Sequence, residues 1–121
     1  MIRGVRGATT VEKNNSEEIL DATKQLLKQM IELNNIKPYD VAQILVSATS
    51  DVNSTFPAKA LRSFDGWQYV PIMCMKEMDV PDGLARCIRV MMTINTDIDQ
   101  KEIQHVYLKG AVLLRPDLSH S

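Results

Sequence analysis

Tyr69-Val70-Pro71-Ile72-Met73-Cys74-Met75 and Cys87-Ile88-Arg89-Val90-Met91-Met92-Thr93-Ile94-Asn95 are two apolar extended runs. Between them lies the charged, glycine-containing turn Lys76-Glu77-Met78-Asp79-Val80-Pro81-Asp82-Gly83. Alternation along the second run puts Ile88, Val90, Met92 and Ile94 on one face of a strand and Cys87, Arg89 and Met91 on the other. An arginine between sulfur side chains, on a strand apolar on both faces, is out of place. Burying an unpaired guanidinium is costly, so Arg89 needs an anionic partner, either a protein carboxylate or a ligand. Both runs are expected to be central strands.

Outward from this pair, residues 2–11 read as a strand with Arg3, Val5, Gly7 and Thr9 on one side and Ile2, Gly4, Arg6 and Ala8 on the other. Gly4 and Gly7 mark places where something approaches the backbone closely. Taken alone, Arg6 reads as an edge-strand arginine reaching solvent. Asn14, Asn15 and Ser16 offer N-cap oxygens, and Glu17 and Glu18 suit the positive start of a helix. Ile19, Thr23, Leu26, Leu27, Met30 and Ile31 form its apolar stripe, and Asn34-Asn35 ends it. After a turn at Pro38, the apolar run Val41 to Ala48 reads as a strand covered on both faces. Thr49–Thr55 is polar loop, and Phe56–Arg62 is a short helix with Pro57 at its first position. Residues 97–102 suggest one or two helical turns, and Gln104–Leu108 a short last strand.

The expected fold class is therefore α+β (α/β): a mixed five-stranded sheet with one long helix and short helical turns, as a single domain over residues 1–121. One helix cannot cover both faces of such a sheet. In a chain this small the simplest cover is another copy of itself, so an obligate homo-oligomer is expected.

Composition excludes several functions. A chain of 121 residues with 45% hydrophobic and 24% charged residues is ordinary globular material. A net charge of −1 leaves no basic excess for nucleic acid. No apolar run approaches the roughly 20 residues that cross a bilayer, and no signal peptide is expected at Met1–Arg6. Cys74 and Cys87 have neither CxxC spacing nor disulfide-scaffold density, so reduced thiols in a cytoplasmic protein are expected.

With His105 and His120 as the histidines and no metal-binding spacing, no metal site is expected. Nucleophile-elbow and phosphate-loop sequences are lacking, and a Cys–His105 pair reads as structural. What remains is a set of anion-binding groups, Arg6, Lys59, Arg62, Arg89 and Arg115, with Tyr107 as a neutral donor and Glu77 as a carboxylate. Lys59 and Arg62 are three apart and can share a helical face. The set suits a small, multiply charged carboxylate ligand, without naming a reaction.

The strings Ile2-Arg3-Gly4-Val5-Arg6-Gly7-Ala8-Thr9-Thr10, Phe56-Pro57-Ala58-Lys59-Ala60-Leu61-Arg62, Gly66-Trp67-Gln68-Tyr69-Val70-Pro71, Glu77-Met78-Asp79-Val80 and Cys87-Ile88-Arg89-Val90-Met91 resemble the monofunctional chorismate mutases of the AroH class. So do His105-Val106-Tyr107-Leu108 and Leu113-Leu114-Arg115-Pro116-Asp117-Leu118. The resemblance runs in order over nearly the whole chain. It implies a trimeric pseudo-barrel with active sites at subunit interfaces, rearranging chorismate to prephenate on the way to phenylalanine and tyrosine, with no cofactor.

Position by position, the resemblance makes Arg89 the donor to the breaking ether oxygen and to a carboxylate. It gives a substrate carboxylate to Arg6, with Tyr107 adding a hydrogen bond. Glu77 would accept from the ring hydroxyl, with Cys74 beside it. Phe56, Ala58, Lys59 and Arg62 would come from the neighbouring subunit, and Leu114 and Arg115 from a closing tail. Met73 departs from the pattern, standing where a smaller polar residue is expected. Two other readings compete: a reactive-imine deaminase-like trimer, and a non-catalytic trimer that binds a carboxylate metabolite.

Overall fold

The computed structural model describes residues 1–114. Its strands are β1 (Ile2–Thr10), β2 (Val41–Ala48), β3 (Ile72–Lys76), β4 (Cys87–Asn95) and β5 (Val106–Tyr107), with one α-helix, α1 (Ser16–Leu33). Short 3-10 turns span Pro38–Asp40, Pro57–Ser63, Gln100–Glu102 and Lys109–Leu113. Together the strands form one mixed sheet in the order β3-β2-β4-β1-β5. β4 runs antiparallel to both its neighbours, β1 and β2, whereas the β2–β3 and β1–β5 pairs are parallel.

The apolar alternation of β4 decides the core. Ile88, Val90, Met92 and Ile94 are buried beneath α1, together with Val5 of β1 and Ile44 and Val46 of β2. From the helix come Ile19, Leu26, Leu27 and Met30, each fully buried and each worth on the order of 1.5–3 kcal/mol of hydrophobic transfer. Ile31, by contrast, is only partly buried at the edge of this core. α1 can lie this close because Gly7 lacks a side chain: a Cβ there would stand 2.3 Å from Met30 Sδ. Asn15 caps the helix by accepting from the Glu18 backbone N–H at 3.0 Å. Glu18 in turn accepts the Glu12 and Lys13 N–H groups, fastening the end of β1 to the helix start.

Three expectations need correction. β3 is an edge strand within the chain, not a central one, and it starts at Ile72. Val70 closes a turn onto the Trp67 carbonyl, and Pro71, with no N–H to give, only accepts from Ile44. β1 is interior, between β4 and β5, so Arg6 is not an edge-strand arginine. Nor is β2 covered on both faces, for Ala42 and Gln43 are exposed and Leu45 and Ser47 only half-buried. With α1 on one side, the other is covered only at its β1–β5 end, where Ala111, Leu84 and Leu114 pack over Ala8 and Tyr107, and among the described residues its β3–β2–β4 part stays open.

The face opposite α1 carries side chains in transverse rows. Met75, Ser47, Arg89, Ala8 and Tyr107 stand in one row across β3, β2, β4, β1 and β5. Met73, Leu45, Met91 and Arg6 form the next. Met73, Met75 and Met91 are 60%, 43% and 39% exposed, an unusual outlay of sulfur side chains on a sheet surface.

Candidate active site

The row containing Arg89 floors a cleft of about 500 Å³, lined by Arg6, Ser47, Glu77, Arg89, Tyr107 and Leu114, with Leu45, Met75 and Met91 as its apolar wall. Arg89 and Arg6 reach it from β4 and β1, one register step apart, since Ala8 lies opposite Arg89 and Arg6 opposite Met91. Tyr107 buries its ring against Ala8 and Ala111 and still lines the cleft. Its position is set from the far end of α1. The Asn34 side chain donates to the Gln104 carbonyl at 2.9 Å and accepts the Gln104 N–H at 2.8 Å, just ahead of β5. His105 Nδ1 then takes the backbone N–H of Arg6 at 2.9 Å.

Glu77 follows β3 directly, and its N–H donates to the Ala48 carbonyl at the end of β2. Its Oε2 accepts Arg89 Nε at 2.6 Å and the Ser47 hydroxyl at 2.7 Å, while Oε1 accepts the Met78 N–H at 3.1 Å. The Arg89 hydrogen bond above all, then those from Ser47 and Met78, holds the Glu77 carboxyl down to about 2. It is therefore an anion throughout the physiological range. The same pairing raises the pKa of Arg89. Arg89 is thus not the buried guanidinium expected from sequence. Its side chain is 53% exposed against 17% for Glu77, because the Arg89 face of β4 is the uncovered face of the sheet. The expected anionic partner does exist, and it engages Nε alone. Neither terminal nitrogen of Arg89, nor the guanidinium of Arg6, has a hydrogen-bond partner among the described residues.

Phe56, Ala58, Lys59 and Arg62 are not in this cleft. They line a second one, of about 830 Å³, built on the Pro57–Ser63 turn and floored by Trp67, Ile72 and Cys74. Cys74 is accordingly not beside Glu77 in the same chain. Alternation along β3 sends Cys74 toward the core side with Ile72, and Met73 and Met75 toward the open face. Burial raises the Cys74 thiol and pushes that of Cys87 up to about 11, so neither is a thiolate at neutral pH. Arg115 and the rest of the proposed closing tail lie outside the described residues; Leu114, the last described residue, does line the first cleft. Among the described residues no cluster suits a metal ion, and no helix is long and apolar enough to cross a membrane.

Ser47, which lines the cleft, and Asn34, which braces the chain ahead of β5, are residues that the sequence did not single out. Ser47 is the sole hydroxyl residue of β2 and would have been found only by knowing that β2 pairs with β4. Asn34 reads locally as nothing more than a helix stop.

The chemistry available is that of two guanidinium groups, one phenol and one fixed carboxylate. They can bind and polarise a small anionic ligand without a nucleophile. Over residues 2–118 the chain matches the family described as chorismate mutase type I. The chorismate mutase AroH of Bacillus subtilis (strain 168) is 63% identical over 119 residues, covering 98% of this chain and 94% of that one. Its counterpart from Thermus thermophilus is 46% identical, covering 98% and 97%. A solved chorismate mutase from Clostridium thermocellum superimposes with a TM-score of 0.88 at 48% identity, covering 91% of this chain and 97% of that one.

Proposed function

The chain belongs to the chorismate mutase type I family and is an isomerase that turns chorismate into prephenate; we propose that it does so by conformational restraint and electrostatic stabilisation in the Arg89 cleft. In this [3,3] rearrangement one C–O bond breaks and one C–C bond forms within the same molecule. Nothing leaves and no proton need move. The protein has to hold the enolpyruvyl arm folded over the ring, an orientation effect that can reach about 7–11 kcal/mol in favourable cases. It must also stabilise the negative charge that grows on the ether oxygen.

The observation that carries the assignment is the state of Arg89. Its Nε is taken by Glu77, while its terminal nitrogens have no hydrogen-bond partner among the described residues, and Arg89 lines the cleft. Those terminal nitrogens donate to the ether oxygen and one carboxylate. Arg6 takes the substrate carboxylate with a hydrogen bond from Tyr107, and Glu77 accepts from the ring hydroxyl through Oε1.

The working assembly in this reading is a homotrimer. Phe56, Ala58, Lys59, Arg62 and Cys74 sit around the β3 edge, away from the Arg89 cleft of their own chain. A head-to-tail ring brings that edge of one subunit over the next subunit's open face, covering Met73, Met75 and Met91 and completing each site. The free thiols of Cys74 and Cys87 suit a cytoplasmic setting.

The test is loss of chorismate absorbance on adding the purified protein, with prephenate identified as product. Consumption at the uncatalysed rate, in a sample that sediments as a trimer, would overturn the assignment.

A further inference from the structure

We infer that Ser47 is a positioning residue for this reaction: its hydroxyl fixes the direction of the Glu77 carboxylate and thereby keeps the terminal nitrogens of Arg89 available to substrate. The inference rests on the roles given above to Glu77 and Arg89.

Arginine–carboxylate pairs favour the two-pronged arrangement, in which both carboxylate oxygens face two guanidinium nitrogens. Glu77 and Arg89 do not adopt it. Arg89 offers only Nε, and only Oε2 receives it. The reason is on the adjacent strand. Ser47 lies opposite Arg89 in the β2–β4 register, on the shared open face, and its Oγ donates to the same Oε2 at 2.7 Å. A carboxylate has roughly four acceptor positions, two on each oxygen. Ser47 and Arg89 occupy both on Oε2, and the Met78 N–H occupies one on Oε1. A single position remains, on Oε1, for a hydroxyl donor in the cleft.

Ser47 is well placed to impose this. β2 is hydrogen-bonded to β3 on one side and β4 on the other, so its backbone is fixed along this stretch. Without the hydroxyl, Oε2 loses a donor and only the Met78 N–H on Oε1 opposes rotation of the carboxylate into two-pronged contact with Arg89. One terminal nitrogen is then diverted from the breaking bond. The other charged or titratable groups lining the cleft are Arg6 on β1, Lys76 on β3 and Tyr107 on β5, and none is hydrogen-bonded to Glu77.

The experiment compares Ser47→Ala, Ser47→Thr and Ser47→Cys in the full chain, by steady-state kinetics on chorismate and by carbon-13 NMR titration of the Glu77 carboxyl. Ser47→Ala is expected to lower kcat about 10- to 100-fold, the scale of a hydrogen bond to a charged group, with KM changed less than about twofold. Ser47→Thr keeps an Oγ on a β-favouring residue and restores most of kcat. Ser47→Cys, a weak donor of similar shape, falls between. The Glu77 titration midpoint shifts in Ser47→Ala and Ser47→Cys, as the Ser47 bond is exchanged for a second one from Arg89, and keeps its wild-type value in Ser47→Thr. Wild-type kcat in Ser47→Ala, a loss confined to KM, or an unmoved Glu77 midpoint overturns the inference. Failure of the wild-type protein to consume chorismate would overturn the proposed function instead. The Glu77 midpoint, which needs no turnover, would still decide whether Ser47 holds the carboxylate.

Discussion

Glu77 meets Arg89 across a strand that belongs to neither of them. Glu77 extends from the end of β3 and Arg89 rises from β4, with β2 running between, yet Nε and Oε2 are 2.6 Å apart. The contact is possible because Glu77 N–H is tied to the Ala48 carbonyl, which swings the chain over the end of β2. An arginine on an open sheet face would ordinarily sample many rotamers. Pinned at Nε, it presents its remaining donors in a fixed plane, so in the proposed mechanism little reorganisation would accompany the developing charge.

Replacing Arg89 separates this role from stability. Arg89→Ala is expected to lower kcat by on the order of 10²–10³-fold, the loss seen when one donor to a developing oxyanion is removed. Circular dichroism should show the fold intact, while the thermal midpoint falls because Glu77 loses its principal partner. That loss of stability does not account for a lower kcat measured on folded protein. Arg89→Lys should recover little activity, because an ammonium cannot pair with Glu77 through one nitrogen and serve the substrate through a fixed fork. Near-wild-type kcat in Arg89→Ala, measured by chorismate absorbance, would remove the electrostatic role.

The Glu77 carboxyl makes a pH prediction with a definite sign. Its pKa falls from an ordinary 4.5 to about 2 on folding, chiefly through the Arg89 hydrogen bond. A depressed folded-state pKa adds stability that is complete above the unfolded value and lost as pH falls through the folded one. The urea-unfolding free energy of wild type minus that of Glu77→Gln should therefore be constant from about pH 8 to 5 and shrink from about pH 5 toward 2. A difference that instead grew on acidification would contradict the pairing.

The parts of this picture legible from sequence are those written in local pattern. The alternation of β4, the stripe of α1 and the Asn15 cap each follow from neighbours within a few residues. The oddity of Arg89 among Cys87 and Met91 pointed to an anionic partner, and the chain supplies it. What stayed hidden depends on which strands pair. That β3 is an edge, that β1 is interior and that Ser47 stands opposite Arg89 are facts of nonlocal register. The separation of Cys74 from Glu77 came from the same source, since three residues along a strand reverse the face.

Gly7 should not tolerate even a methyl group. In Gly7→Ala the new Cβ would lie 2.3 Å from Met30 Sδ and 3.0 Å from Leu26 Cδ1, both side chains fully buried. Overpacking of this kind costs about 1–3 kcal/mol, read as a lower urea midpoint. Because Met30 is the obstacle, the penalty of Gly7→Ala should be smaller in a Met30→Ala background than in wild type. Strict additivity of the two substitutions would mean that the helix shifts as a body.

Subunit mixing tests whether each site is shared between chains. Arg62 lines the cleft at the β3 edge and Arg89 the cleft on the open face, so one chain does not bring the two together. If they meet only across a seam, Arg89→Ala and Arg62→Ala assemblies are each impaired at every site. Unfolding the two variants together and refolding them gives mixed rings. Wherever the intact Arg89 face of an Arg62→Ala subunit meets the intact Arg62 edge of an Arg89→Ala subunit, a wild-type site re-forms. Random assembly of an equal mixture restores roughly a quarter of the seams, so the mixture should exceed both parents well beyond their average. If both residues served a site within one chain, no seam could be rescued and the mixture would show the mean of its parents.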